Sequence, residues 1–136
     1  MRTITEIIVH CTATPEGRPH TVGDIRAWHK ERGFKDIGYH YVVYLDGSIH
    51  AGRPESAIGA HCTGHNRNSI GVGYMGGMTK DMKASKDTRT EAQKKSLLQL
   101  LKQLKKRYPG AKIYGHRDFA AKACPSFDAK EEYKSL

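Results

Sequence analysis

Ile4-Thr5-Glu6-Ile7-Ile8-Val9-His10 is a nearly continuous apolar run, rich in isoleucine and valine, that ends on an imidazole. Residues 4–10 therefore predict a buried strand that delivers His10 at its C-terminal end, where open α/β sheets hold their ligands. Outward from this strand, Thr21 with Asp24 forms a capping box, and Val22, Ile25 and Trp28 or His29 recur at helical spacing until Gly33. That pattern predicts a first helix of about three turns. Residues 39–45 are aromatic and β-branched, Asp46-Gly47 marks a tight turn, and residues 48–53 return as a partner strand. Residues 70–74 read as a glycine-punctuated strand, and residues 76–88, polar and rich in glycine and lysine, as an exposed flexible loop. Thr90 with Gln93 caps a leucine-rich helix stopped by Pro109-Gly110, and residues 111–114 form a short strand leading into His116. After Pro125, Ser126 or Asp128 caps a short helix over residues 129–134. No internal repeat is visible. The alternation predicts an α/β fold, a single domain over residues 1–136 with a central mixed β-sheet flanked by helices; the hairpin makes the sheet mixed rather than purely parallel.

The formal charge of +9 invites a polyanionic partner. Much of the excess sits in Lys94, Lys95, Lys102, Lys105, Lys106 and Arg107, interleaved with leucines, which is the solvated face of an amphipathic helix. No aromatic residues are interleaved to stack bases, so no specific nucleic-acid partner is expected. Three cysteines, Cys11, Cys62 and Cys124, lack framework spacing and argue against a disulfide scaffold. No stretch reads as a signal peptide or approaches a membrane span, so the expectation is a monomer, cytoplasmic as synthesised, that reaches any external target by another route.

The chemistry concentrates near the C-terminus, in Gly115-His116-Arg117-Asp118-Phe119-Ala120-Ala121-Lys122-Ala123-Cys124-Pro125-Ser126. His116 and Cys124 place an imidazole and a thiolate within reach of one metal, and both suit Zn2+. A tetrahedral site needs a third ligand, for which His10 is a candidate; two histidines and one cysteine leave a coordination position open, the mark of a catalytic rather than a structural zinc. Other readings stand beside this one: His10 as a hydrogen-bonded core histidine, Cys124 as an inert thiol, or Cys124 as a nucleophile with His116 or His10 as its base.

Taken in order, Ile8-Val9-His10-Cys11-Thr12-Ala13-Thr14, Ile25-Arg26-Ala27-Trp28-His29, Gly38-Tyr39-His40-Tyr41, Asp46-Gly47, Gly59-Ala60-His61, Asn68-Ser69-Ile70-Gly71-Val72 and Ala121-Lys122-Ala123-Cys124-Pro125-Ser126-Phe127-Asp128 span almost the whole chain. This series resembles the type 2 zinc-dependent N-acetylmuramoyl-L-alanine amidases, a family that includes phage lysozyme-like amidases and peptidoglycan recognition proteins. The resemblance implies Zn2+ on His10, His116 and Cys124, with Tyr39 and Lys122 as the catalytic pair. It also implies peptidoglycan as substrate, contacts from His61 and Asn66 at the groove, and access to the cell wall through a holin or host lysis. Strand alternation turns His40 away from Tyr39 and Cys11 away from His10, so neither is expected to bind the same ion. Arg117 and Asp118 are expected to orient the ligand loop. His20, His29, His50 and His65 are expected to be exposed or locally bonded. A non-catalytic peptidoglycan-binding module of the same fold is the alternative function.

Overall fold

The apolar run becomes the second strand from one edge of a five-stranded sheet. In the computed structural model, which describes residues 2–136, the strands are β1 (Glu6–Cys11), β2 (Thr14–Pro15), β3 (Tyr41–Val43), β4 (Ile49–Ala51), β5 (Ser69–Tyr74), β6 (Gly77–Met78) and β7 (Lys112–Gly115). The main sheet has the order β4-β3-β5-β1-β7. β1 runs parallel to both β5 and β7, β3 is parallel to β5, and only the hairpin strand β4 is antiparallel. Flanked by strands on both sides and covered on both faces, β1 has no solvated face, which is why its sequence runs apolar without alternation.

The two faces divide the core. Ile7, Val9 and Cys11 of β1 join Ile70, Val72 and Tyr74 of β5 against the leucines of a helix, α2 (Glu91–Arg107). On the other face, a smaller cluster of Ile25, Ile37, Val42 and Met75 packs beneath α1 (Val22–Glu31). Both predicted capping boxes form: Thr21 accepts from the Asp24 amide and Thr90 from the Gln93 amide. Gln93 is buried because its side-chain amide donates to the Val43 and Met75 carbonyls, bonding α2 to the ends of β3 and β5. Lys94, Lys95, Lys102 and Lys106 lie exposed on the opposite side of α2, as a solvated face should, while Lys105 turns back to the Ala111 carbonyl. No helix among the described residues is long and apolar enough to cross a membrane.

Several boundaries move. β1 starts at Glu6 and continues through Cys11, because pairing with β5 extends to Cys11 opposite Tyr74. The hairpin forms around Gly47, whose φ of 87° requires glycine, but each strand holds only three residues. Residues 76–88 are not loop throughout: β6 pairs in parallel with β2, and Gly77 donates to Thr88 Oγ1 at 2.8 Å. Two-residue strands carry too little periodicity to be read from sequence; residues 80–87 are exposed. The last helix, α3 (Ala129–Glu132), is shorter than expected and is capped by Asp128. Ser126 has no part in that cap; its hydroxyl donates to the Gly77 carbonyl at 3.0 Å.

Arg89 fastens this C-terminal segment. Its side chain is 3% exposed, bonds Asp87 and Glu132, and lies 3.4 Å over the Phe127 ring. The Arg89 hydrogen bonds hold the Glu132 carboxyl below its ordinary pKa; at Asp87 burial acts upward, and the bonds and charge of Arg89 outweigh it. Depressed carboxylate pKa values stabilise the fold above the unfolded-state value near 4 and lose that contribution as pH falls through the folded values. Arg89→Leu should therefore cost about 2 kcal/mol near neutrality, less than a fully buried pair because both carboxylates meet solvent. Urea unfolding of the two proteins should show that gap narrowing below about pH 4.

Candidate metal centre

Parallel register gathers the site. Val9 stands opposite Gly115, so His10, the next residue on β1, emerges beside His116 at the end of β7. The imidazole centroids are 4.6 Å apart. Cys124 returns to the same point because the Arg117 amide donates to its carbonyl at 2.8 Å, while the Cys11 amide donates to its Sγ at 3.2 Å. Asp118 accepts from the Gly115 amide and Arg117 lies 3.8 Å from Asp128, so the two residues after His116 brace the loop, as expected. One donor atom from each of His10, His116 and Cys124 lies within 4.8 Å of the others. Among the described residues, this is the group that could hold a metal ion.

The donors suit a divalent cation of borderline softness. Burial first, then the neighbouring His61, His116 and Lys122, holds His10 well below its ordinary pKa, and burial with Lys122 lowers His116. Both imidazoles are thus neutral at pH 7 and need lose no proton to bind a metal. The contact with Cys11, followed by burial, pushes the Cys124 thiol upward, so its deprotonation depends on a cation at Sγ. Cys11 joins the core cluster with its Sγ 4.0 Å from Ser126 Oγ, and it is not among the donors that converge with His10.

The cluster opens into a cleft of about 440 Å³, bordered by Trp28, Arg32, Tyr39, Thr63, Asn66 and Lys122 among others. Tyr39 is half-buried, its ring 5.2 Å from that of His10, and its hydroxyl donates to the Cys11 carbonyl at 3.3 Å. Burial, reinforced by the Cys124 and Cys11 thiols, raises the Tyr39 pKa, so this phenol keeps its proton. Lys122 is exposed and borders the cleft. Asn66 Oδ1 accepts from the His61 and Cys62 amides at 2.9 Å each. His61 also lines the cleft but is only 8% exposed, and both its ring nitrogens are engaged, by His10 and by Ser69. His40 is fully buried, accepting from the Gly71 amide at 3.0 Å, a structural position as expected.

Sequence reasoning left His29 without a place. The structure sets it in the cleft wall, 8% exposed, with Nδ1 accepting from the Gly38 amide at 2.9 Å and its ring 5.4 Å from Tyr39. From sequence it is expected to be exposed or locally bonded; its hydrogen bond to Gly38 is local, but the ring is buried against the cleft. His20 and His50 have local partners in Asp24 and Ser48, whereas His65 reaches Glu6, 59 positions away, at 3.0 Å.

A mixed α/β sheet whose strand ends and adjoining loop gather two imidazoles and a thiol in an open cleft has the build of a hydrolase able to hold a metal ion. Residues 1–127 match the family model described as N-acetylmuramoyl-L-alanine amidase, and the chain belongs to that family. It is 48% identical over 125 residues to the endolysin of Escherichia phage T7, covering 91% of this chain and 82% of that protein. It is 32% identical over 133 residues to a peptidoglycan-recognition protein of Drosophila melanogaster, covering 94% of this chain and 71% of that protein. The solved N-acetylmuramoyl-L-alanine amidase LysC from Clostridium intestinale URNW superposes with a TM-score of 0.81 at 29% identity, covering 96% of this chain and 82% of that one.

The cleft floor depends on missing side chains in β5. A Cβ at Gly71 would lie 2.6 Å from the His61 ring, whereas one at Gly73 would meet the Tyr39 ring at an ordinary 3.4 Å. Gly71→Ala should therefore destabilise by about 1–3 kcal/mol through overpacking, and Gly73→Ala by clearly less. Urea midpoints of the two variants, measured side by side, check the order.

Proposed function

We propose that residues 1–136 act as one domain carrying out the family's reaction, hydrolysis of the amide between the lactyl group of N-acetylmuramic acid and L-alanine in peptidoglycan, with one Zn2+ on His10, His116 and Cys124. The observation that carries the metal assignment is the convergence of those three donors within 4.8 Å at the floor of an open cleft. When bound, zinc lowers the pKa of a ligated water toward about 7 and polarises the scissile carbonyl.

The chain's own groups manage the remaining charges. Lys122, on the cleft border and close enough to depress the His10 and His116 pKa values, supplies positive charge where the carbonyl oxygen becomes an oxyanion. Tyr39, a phenol that keeps its proton, orients the attacking water or passes its proton through hydrogen bonding rather than acting as a free base. Asn66, with Oδ1 already engaged, offers its amide N–H groups to the muramoyl group or stem peptide. His61 belongs to the same wall. Similarity to the endolysins supports a reading in which the protein acts on the cell wall, reached from the cytoplasm through a holin or host lysis.

Purified cell wall treated with the zinc-loaded protein should release stem peptides bearing a new L-alanine amino group. A strong chelator should stop release, and added Zn2+ should restore it. Wall binding without release would instead support a binding module, and release that survives chelation but not thiol alkylation would support a cysteine hydrolase.

Two substitutions separate the roles. Lys122→Met should lower kcat by about 10²–10³-fold, the usual cost of one oxyanion donor, while bound zinc stays stoichiometric by elemental analysis. Cys124→Ala should lose the zinc itself while circular dichroism shows the fold retained.

A further inference from the structure

His10 has two ring nitrogens, and they face different surroundings. Nδ1 lies 3.8 Å from Cys124 Sγ, on the side where the three donors converge. Nε2 points the other way, 2.8 Å from Nδ1 of His61. His61 Nε2 in turn lies 3.1 Å from the hydroxyl of Ser69, the first residue of β5. A metal-ligating imidazole commonly donates its second N–H to a carboxylate or carbonyl, which fixes tautomer and ring orientation. Here another imidazole occupies that position.

The proton positions follow from hydrogen-bond logic alone. If Nδ1 of His10 carries the lone pair that faces the metal, its proton is on Nε2 and is donated to His61 Nδ1. His61 must then hold its own proton on Nε2 and donate it to Ser69 Oγ. Each nitrogen in the row has one role, and the row ends on a hydroxyl that can accept.

The surroundings leave His61 no alternative pose. The His10 and His61 rings meet edge to face at 89°, with centroids 4.8 Å apart. A Cβ at Gly59 or Gly71 would come within 2.7 or 2.6 Å of the His61 ring, so the imidazole fills a slot between bare backbones. Asn66 Oδ1 pins the backbone that carries it by accepting from the amides of His61 and Cys62.

We infer that His61, backed by Ser69, is a positioning residue that locks His10 in the tautomer and orientation presenting Nδ1 to the metal. The inference rests on the metal site proposed above and concerns which group sets its affinity. His61 acts through His10, by way of a hydrogen bond that only an acceptor at the place of its Nδ1 can reproduce.

The test is zinc affinity, measured by competition with a chromophoric chelator on the full chain, with metal-free melting temperatures as the stability control. His61→Leu keeps apolar volume and removes the acceptor; His61→Asn returns an acceptor oxygen close to the place of Nδ1. His61→Leu should bind zinc about 10–100-fold more weakly than wild type. His61→Asn should recover most of that loss even if both variants melt at the same lowered temperature. Ser69→Ala, which leaves His61 in place, should weaken zinc binding several-fold. In the cobalt-substituted proteins, the visible ligand-field bands should shift in His61→Leu and return toward wild type in His61→Asn. Equal affinity in all three His61 proteins, or losses that follow melting temperature rather than the presence of an acceptor, would overturn the inference while leaving the metal site standing. Failure of the wild-type chain to bind zinc would overturn both.

Discussion

The parallel pairing of β1 with both of its neighbours is the constraint on which the rest of the molecule depends. The proposed metal site needs donors fixed to within a fraction of an ångström, yet His10 and Cys124 are 114 positions apart in sequence. Register solves part of the problem: with Val9 opposite Gly115 and His10 opposite Gly73, two imidazoles and an open floor meet at one edge of the sheet. A slip of one residue would send His10 into the leucine core and Ile7 or Val9 into the cleft. The cores on the two faces therefore protect the chemistry by making that slip expensive. The cysteine is added by a braced loop rather than by a strand, with backbone amides holding both its carbonyl and its sulfur.

Much of this was legible in the sequence because it is written locally. Capping boxes at Thr21 and Thr90 are statements about residues three apart, and Asp46-Gly47 specifies its own turn. His10, His116 and Cys124 announce themselves by donor type and by their positions at strand ends and in a loop. What escaped is written across the fold. β2 and β6 are stabilised by each other over more than sixty residues, and neither has a pattern of its own. The setting of His61 depends on His10, Ser69 and two glycines that only strand pairing brings together. His29 reads from sequence as exposed or locally bonded because its place in the cleft wall depends on Gly38 and Tyr39, which only the fold brings against α1.

Charge is similarly divided. The net +9 invites a reading as a polyanion binder, yet the lysines of α2 lie on the side away from the sheet and belong to solvent. The cation that the proposed chemistry draws on is Lys122, which borders the cleft beside imidazoles whose pKa values it lowers. For the proposed reaction, one charge in a cleft would matter more than a whole exposed helix face.

β5 carries two unrelated sets of demands on alternate residues. Ile70, Val72 and Tyr74 face the leucines, where one apolar group can replace another of similar volume at modest cost. Ser69, Gly71 and Gly73 face the rings, and a side chain at Gly71 would crowd the His61 imidazole. Sequence drift along this strand is thus permitted in a period of two. A descendant could exchange its core-facing residues for others of similar volume, whereas one methyl group a single position away would press directly on the His61 imidazole that backs His10.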